Sequence, residues 1–314
     1  MSEYVLFSND HLWYLAIFLF VLVIATIAFQ IYHKVAPSAT SLNLVERTNS
    51  WWVIFVFYFI GMGIHHVVSI FMFMFISFIA HRELVSNLNF SLSSRRVIFW
   101  SYLFIPVQYY LAYKAELVAF LVLIPVGGLL LISVRTILND VPENSIRVFG
   151  QLHWSLLLTT FTISHLAYFI SLPNISGTIR SYQEFIFFLI FVSQSNDIFQ
   201  YVFGKIFGNK KLSKNISPGK TIVGAIGGVV GSMTLGYFLS PLMPLTVEQT
   251  VIAAIIISIT GIFGDLNIST VKRDLSIKDM SNFIPGHGGV LDRIDSLTFS
   301  TVAFFYLIYF WIYK

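Results

Sequence analysis

The chain has 314 residues, of which 56% are hydrophobic, 17% aromatic and only 11% charged, with no cysteine and a formal net charge of +4. Soluble domains carry roughly a quarter of their residues as charges, so a water-facing globule is excluded. Disulfide scaffolds and thiolate metal sites are excluded by the missing cysteines. The mild basic excess is what cytoplasmic loops of a membrane protein supply, with no nucleic acid as partner.

Apolar runs of about 17–25 residues, the length that crosses a bilayer as a helix, recur along the chain. Backbone groups in hydrocarbon must pair within their own segment, which selects the helix. The expected fold is therefore all-α, a polytopic integral membrane protein with about nine transmembrane helices. The expected spans cover residues 12–32, 51–80, 97–113, 117–134, 148–171, 185–204, 221–242, 247–264 and 296–313. The first lacks a basic leader and a small-residue cleavage pattern, so it reads as a retained span. Residues 51–80 are long for one crossing and short for two, at ~45 Å of helix. A single tilted span bending near Gly61 and Gly63 is expected there, with a re-entrant segment as the alternative.

Basic residues set the expected topology. Lys205, Lys210, Lys211, Lys214 and Lys220 follow one span, and Lys272, Arg273, Lys278 and Arg293 fall two spans later. An even number of crossings puts both groups on one face, which the positive-inside rule makes cytoplasmic. Nine spans then place the N-terminus inside and the C-terminus outside; a re-entrant 51–80 moves the N-terminus outside. No internal repeat or low-complexity tract stands out. Residues 1–180 read as transmembrane helices with little recognisable chemistry, and 181–314 as the catalytic region, because polar residues concentrate there.

In the second half, Asn196 and Asp197 sit inside an apolar run, where an unpaired carboxylate is expensive. Asp197 is the candidate ligand; Asn196 reads equally as a polar helix contact. Ser217-Pro218-Gly219-Lys220 turns the chain into a glycine-rich span, so Lys220 can hold a phosphate at a helix start. Gly224, Gly227, Gly228 and Gly231 read as packing residues that let helices approach closely. No Walker loop is present.

Residues 265–295 hold five carboxylates, four basic groups and His287, a third of the chain's 15 acids in a tenth of its length. A solvated loop is the bland reading. Against it, Asp265 follows an apolar stretch at a membrane boundary, where ionisable groups are costly. Asp292 and Asp295 are three apart, which on a helix puts both on one face, able to share a hard cation. Between them and Asp265 runs Pro285-Gly286-His287-Gly288-Gly289, whose glycines allow close backbone approach to a bound group. Carboxylates, Lys/Arg and a glycine loop suit metal-assisted phosphoryl or nucleotidyl transfer. His65, His66, His81, His153 and His165 have no ligand spacing and read as structural.

The run Ser269-x-Val271-Lys272-Arg273-x4-Lys278-Asp279-x-Ser281-x2-Ile284-Pro285-x-His287-Gly288-Gly289-Val290-x-Asp292-Arg293-Ile294-Asp295 resembles the signature of the phosphatidate cytidylyltransferase (CDP-diacylglycerol synthase) family. The upstream stretch from Asn196 to Gly228 is similar to that family's second block, so the resemblance covers about residues 190–300. It implies an inner-membrane nucleotidyltransferase of phospholipid biosynthesis, taking CTP and phosphatidate to CDP-diacylglycerol and pyrophosphate at the cytoplasmic face. By resemblance, Asp265 and Asp292, with Asp295, bind Mg²⁺, the identity of a second cation being left open. Lys272 and Arg273 bind triphosphate, and His287 helps at the phosphate. Lys220, Ser217, Asp197, Lys278 and Arg293 fall to substrate binding. Membrane lipids and a second copy in a homodimer are the further expected partners. Two rival readings stay open at this point: a CTP-dependent polyprenol-type lipid kinase, which releases CDP, and a non-catalytic transporter or scaffold.

Overall fold

The computed structural model describes residues 7–90, 95–138, 140, 144–173, 182–281 and 288–313, all-helical apart from one isolated bridge between Lys211 and Thr221. In chain order the helices are α1 (Asn9–Val35), α2 (Ala39–Gly63), α3 (His66–Asn87), α4 (Arg95–Tyr113), α5 (Leu117–Val122), α6 (Leu129–Ile137), α7 (Ser145–Leu156), α8 (Thr162–Ser171), α9 (Tyr182–Phe207), α10 (Ile222–Leu239), α11 (Val247–Asp274) and α12 (Leu291–Ile308). One π-helical turn, Leu123–Gly128, joins α5 to α6, and another, Leu157–Phe161, joins α7 to α8. The first contains Pro125, whose missing N–H and ring demand a widened turn. There His153 Nε2 donates to the Ile124 carbonyl at 3.1 Å. Among the described residues, eight helical stretches are long and apolar enough to cross a membrane, and the chain is a polytopic integral membrane protein.

The stretch 51–80 departs from the expected single span. The helix breaks at Ile64–His65, where His65 becomes the N-cap of α3 and its ring accepts from Val67 N. The capped start at Ser38 extends α2 well upstream of Trp51. The segment thus contributes two antiparallel helices, each ~33 Å or more in length. The break falls just after Gly61 and Gly63, where a bend is expected, and at the polar pair His65-His66.

Contacts between helix ends sort the bundle into two ends. At one, Ser8 before α1 donates to Glu184 of α9 at 2.6 Å, Gln183 donates to Met62 O of α2, and Tyr313 donates to Pro173 O. At the other, Asn87 of α3 donates to Met280 O, and Arg273 of α11 donates to Ile216 O. The start of α1 therefore shares an end with the close of α12, which is the arrangement of the re-entrant alternative for residues 51–80 and not that of the nine-span count.

The main core is aromatic, with Tyr109, Phe120, Phe169, Phe188, Phe304 and Phe305 all fully buried and drawn from both halves of the chain. Several buried polar groups are paired around it. His81 holds Thr159 Oγ1 at 3.2 Å and Ser101 Oγ at 2.9 Å, tying α3 to α4 and to the turn before α8. Such bonds satisfy groups that hydrocarbon would leave stranded.

Candidate active site

The charged residues of the site sit on α9, α11 and α12 and in the stretch just before α10, and these four helices pack nearly backbone to backbone. A Cβ on Gly228 would lie 2.5 Å from Asn196 Oδ1, and one on Gly264 would lie 2.6 Å from the Asp295 carbonyl. Close approach of this kind needs small residues, and it sets α11 beside α12 at the level of Asp265. Asn196 is engaged by Ser258, whose hydroxyl donates to Oδ1 at 2.7 Å, so it is a helix contact.

Lys220 is placed by the stretch before α10. The chain folds back so that Ile222 N donates to Lys210 O and Leu212 N to Lys220 O, at 3.0 and 2.9 Å. Lys220 N closes the turn on Ser217 O at 3.1 Å. Thr221 caps α10 by accepting from Gly224 N. The lysine then meets α11, with Nζ 2.6 Å from Asp265 Oδ2 and the two side chains 17% and 20% exposed. Helix α11 runs on for nine residues beyond Asp265, so this carboxylate projects from within the helix.

Asp292 lies in the first turn of α12. Its Oδ1 takes Lys272 Nζ at 2.8 Å, and its Oδ2 accepts from Met280 N at 2.8 Å and Gly289 N at 2.9 Å. Three donors on a side chain only 5% exposed make it a strongly held anion. Asp295, a turn later, lies within electrostatic reach of Asp265, Asp197 and Lys272. Asp197 in turn feels Lys220 and Asp265 and accepts from Gln200 Nε2 at 3.1 Å. Lys220, Asp265, Asp197, Asp295, Lys272 and Asp292 therefore form one network of two lysines and four carboxylates, with Asp265, Asp197 and Asp295 as like charges at its centre.

The remaining expected site residues are placed differently. Arg273 is exposed and its Nε reaches Ile216 O at 3.2 Å, tying the end of α11 to the Lys220 stretch. Lys278 is exposed. Arg293 lines an apolar cavity on another side of α12 from the network. His287 lies outside the described residues, as do Pro285 and Gly286.

Sequence reasoning missed Glu83. This carboxylate on α3 is 6% exposed and accepts from Ser281 Oγ at 2.6 Å, Val290 N at 2.9 Å and Leu291 N at 2.8 Å. It supplies the anion that the start of α12 favours, since the first helical N–H groups have no partner inside the helix. Asn87, one turn on, donates to Met280 O at 2.6 Å. The glycines respond to these acids. A Cβ on Gly289 would lie 2.5 Å from Glu83 Oε2, and Gly288, at φ +77°, would set one 2.8 Å from Asp292 Oδ2. The bound group that Gly288 and Gly289 approach closely is thus, in both cases, a carboxylate of the chain itself. An acid two residues after His81 near a span end was the available signal.

An oxygen-only donor set gathered at one membrane end fits a hard cation such as Mg²⁺. Among the described residues no three acids or histidines converge as a closed cage. That also fits, because Mg²⁺ is usually held by one or two carboxylates together with substrate phosphates.

A family model described as the cytidylyltransferase family matches residues 45–311. The uncharacterised protein YnbB of Escherichia coli (strain K12) is 33% identical over 273 residues, 87% of this chain and 89% of its own length. The phosphatidate cytidylyltransferase of Haemophilus influenzae is 38% identical over 134 residues, covering 41% of this chain and 45% of that one. Its Bacillus subtilis counterpart is 36% identical over 143 residues, 45% of this chain and 52% of that one. The chain thus spans about half the length of these two named relatives. It belongs to the cytidylyltransferase family and is a membrane-embedded nucleotidyltransferase. The match reaches well upstream of residues 190–300, through the helix that carries Glu83.

Proposed function

We propose that this chain transfers CMP from CTP to phosphatidate, giving CDP-diacylglycerol and pyrophosphate, at the cytoplasmic face of a bacterial-type inner membrane. The observation that carries the reading is the pairing of Lys220 with Asp265 and of Lys272 with Asp292 at one end of the bundle. Lipid phosphate lies at headgroup level and CTP arrives from water, so the two meet only at such a boundary.

A lipid phosphate oxygen attacks the α-phosphorus of CTP; that new P–O bond forms as the bond to the β-phosphate oxygen breaks, and pyrophosphate leaves. The nucleophile is already ionised at neutral pH, so no general base is required. The obstacle is repulsion between two anions. Lys220, Lys272 and Arg273 stabilise charge on the triphosphate and the departing pyrophosphate. Asp265 and Asp292, with Asp295, would hold Mg²⁺, which when bound neutralises phosphate oxygens. Asp197 stands beside Asp265 and Lys220 and helps set their charge balance. By resemblance, Ser217 and Lys278 serve substrate binding and His287 donates to phosphate. A second copy of the chain is the proposed protein partner, measured by light scattering of detergent-purified protein.

Product analysis tests the reading. With labelled CTP and phosphatidate in mixed micelles, CDP-diacylglycerol and pyrophosphate are expected, lost on chelation and restored by Mg²⁺. Release of CDP with a newly phosphorylated lipid would instead make the chain a kinase.

A further inference from the structure

Between Asp197 and Glu248 the chain carries no acid, and all five lysines of that interval fall between Lys205 and Lys220. Lys220 is taken by Asp265. Lys205, Lys210, Lys211 and Lys214 are exposed, and among the described residues none of them meets a carboxylate. Lys205 lies in the last turn of α9, and the other three ride the fold-back that joins α9 to α10. That fold-back is braced on both sides. Leu212 N donates to Lys220 O and Ile222 N to Lys210 O. A Cβ on Gly208 would collide with Thr221 Oγ1 and the Gly204 carbonyl, so the start of the fold-back is pressed against its end. Arg273 Nε, reaching Ile216 O, ties the same unit to α11. Lys210, Lys211 and Lys220 therefore move together or not at all.

We propose that this fold-back is a docking surface for the anionic phospholipid headgroups of the adjoining leaflet, and that their binding holds Lys220 on Asp265. The docking stands on the surface alone, while its consequence for turnover rests on the proposed reaction. Two observations select lipid over the other anion at this end, CTP. The first is the apolar face that leads up to the lysines: α9 exposes Ile198, Tyr201 and Phe207, and α10 exposes Ile226 and Val230. Such a face meets hydrocarbon, so the lysines directly beyond it stand at headgroup level. The second is helical phase. Ile198, Tyr201 and Lys205 recur at three and four residues and share one side of α9, and Lys205 Nζ lies 5.7 Å from the Tyr201 ring centroid. An aromatic ring with a basic group at the end of a lipid-facing stripe is the pattern of a membrane interface. A cluster of lysines there attracts anionic lipid, each contributing separately. The ladder from Lys210 and Leu212 to Ile222 and Lys220 carries that attachment to the site.

Two measurements on full-length protein in vesicles test the proposal. Amide hydrogen exchange of the wild type is compared in phosphatidylcholine vesicles and in vesicles where phosphatidylglycerol replaces part of that lipid. Slower exchange at Leu212 and Ile222 with phosphatidylglycerol is expected, and equal exchange in both overturns the docking whether or not the protein turns over. Product formation is then followed in the same vesicles at fixed phosphatidate. Phosphatidylglycerol should raise wild-type turnover about fivefold, the factor one lysine contributes at an anionic surface. A bare anionic surface acts the other way, because it repels CTP. Lys205→Gln, Lys210→Gln, Lys211→Gln and Lys214→Gln combined should abolish the stimulation and leave turnover in phosphatidylcholine at the wild-type rate. Arg95→Gln with Arg96→Gln, at the exposed start of α4, should leave the stimulation intact. Stimulation that survives the quadruple variant, or that falls equally in the arginine control, overturns the proposal. A raised KM for CTP in phosphatidylcholine would make the lysines a collecting surface for nucleotide and overturn it too. Absence of CDP-diacylglycerol from every sample would instead refute the reaction, with exchange still deciding the docking.

Discussion

The helices α9–α12 and the helices α1–α8 are built by different rules. In the first group glycines let helices nearly touch, Gly228 against the Asn196 amide and Gly264 against the Asp295 carbonyl, and charges pair alongside, as Lys220 does with Asp265. The second group packs with large aromatics and buried hydrogen bonds, such as Ser77 to Tyr109 at 2.7 Å. Its described contribution to the site is the last two turns of α3, where Glu83 and Asn87 grip the two flanks of the glycine loop. The contrast teaches that the residues of the chemistry and the residues that hold them still come from opposite halves of the chain. The comparison can be broken at several depths.

The largest effect belongs to Asp292. Asp292→Asn keeps the size but loses the charge that Lys272, Met280 N and Gly289 N address together. Turnover in the labelled-CTP assay should fall by about a thousandfold or more, the scale of losing a charge-stabilising group at a reacting centre. The protein should still purify as a folded species in detergent, because the aromatic core is untouched. Wild-type rates at saturating Mg²⁺ would falsify the role of this carboxylate. Lys220→Gln comes next. It leaves Asp265 without its 2.6 Å partner, and a fall of about a hundredfold is expected. Equal rates in the two proteins would make the lysine a topological charge only.

How much of this the sequence discloses follows from range. The class of fold is legible because hydrocarbon imposes it residue by residue: apolar runs of one length, no cysteine, few charges. The network is legible in part, because Asp265, Lys272, Asp292 and Asp295 fall within a single stretch and their spacing survives on helices. The break at Ile64–His65 is legible only as a bend near Gly61 and Gly63, since nothing local says that the ring of His65 will cap a new helix. Glu83 is not, because its partners are Ser281, Val290 and Leu291, nearly two hundred positions or more away. Arg293 is placed only by the structure: neighbouring helical positions point about 100° apart, and Arg293 lines the apolar cavity beside α12.

Glu83→Gln sharpens the comparison across the two halves. An amide offers one acceptor and turns a donor toward the N–H of Val290 or Leu291, which leaves a buried donor unpaired at about 1–3 kcal/mol. The expected results are a lower unfolding midpoint in detergent and a kcat reduced about tenfold through the displaced Asp292. Glu83→Asp, which keeps the charge, should recover part of both. A kcat equal to wild type would separate α3 from the chemistry. Gly289→Ala approaches the same contact from the other side. The added methyl meets Glu83 Oε2 at 2.5 Å and should cost about 1–3 kcal/mol of stability. If the clash is with that carboxylate, combining it with Glu83→Ala must give less destabilisation than the sum of the two.

The smallest expected effect tests the packing rule of α9–α12 itself. Asn196 accepts from Ser258 Oγ at 2.7 Å and donates toward Ser258 O at 3.4 Å, one residue away from Asp197 and its charges. If Asn196 were a ligand in the network, Asn196→Ala would lower turnover as the acids do. As a polar contact between spans it should change stability by only about 0.6 kcal/mol, the average for such bonds in a membrane interior, because a broken pair finds other partners there. A double-mutant cycle with Ser258→Ala should therefore return a small coupling with kcat unchanged. A coupling of several kcal/mol, or a kcat loss that follows Asp197→Asn, would move Asn196 from the scaffold into the site.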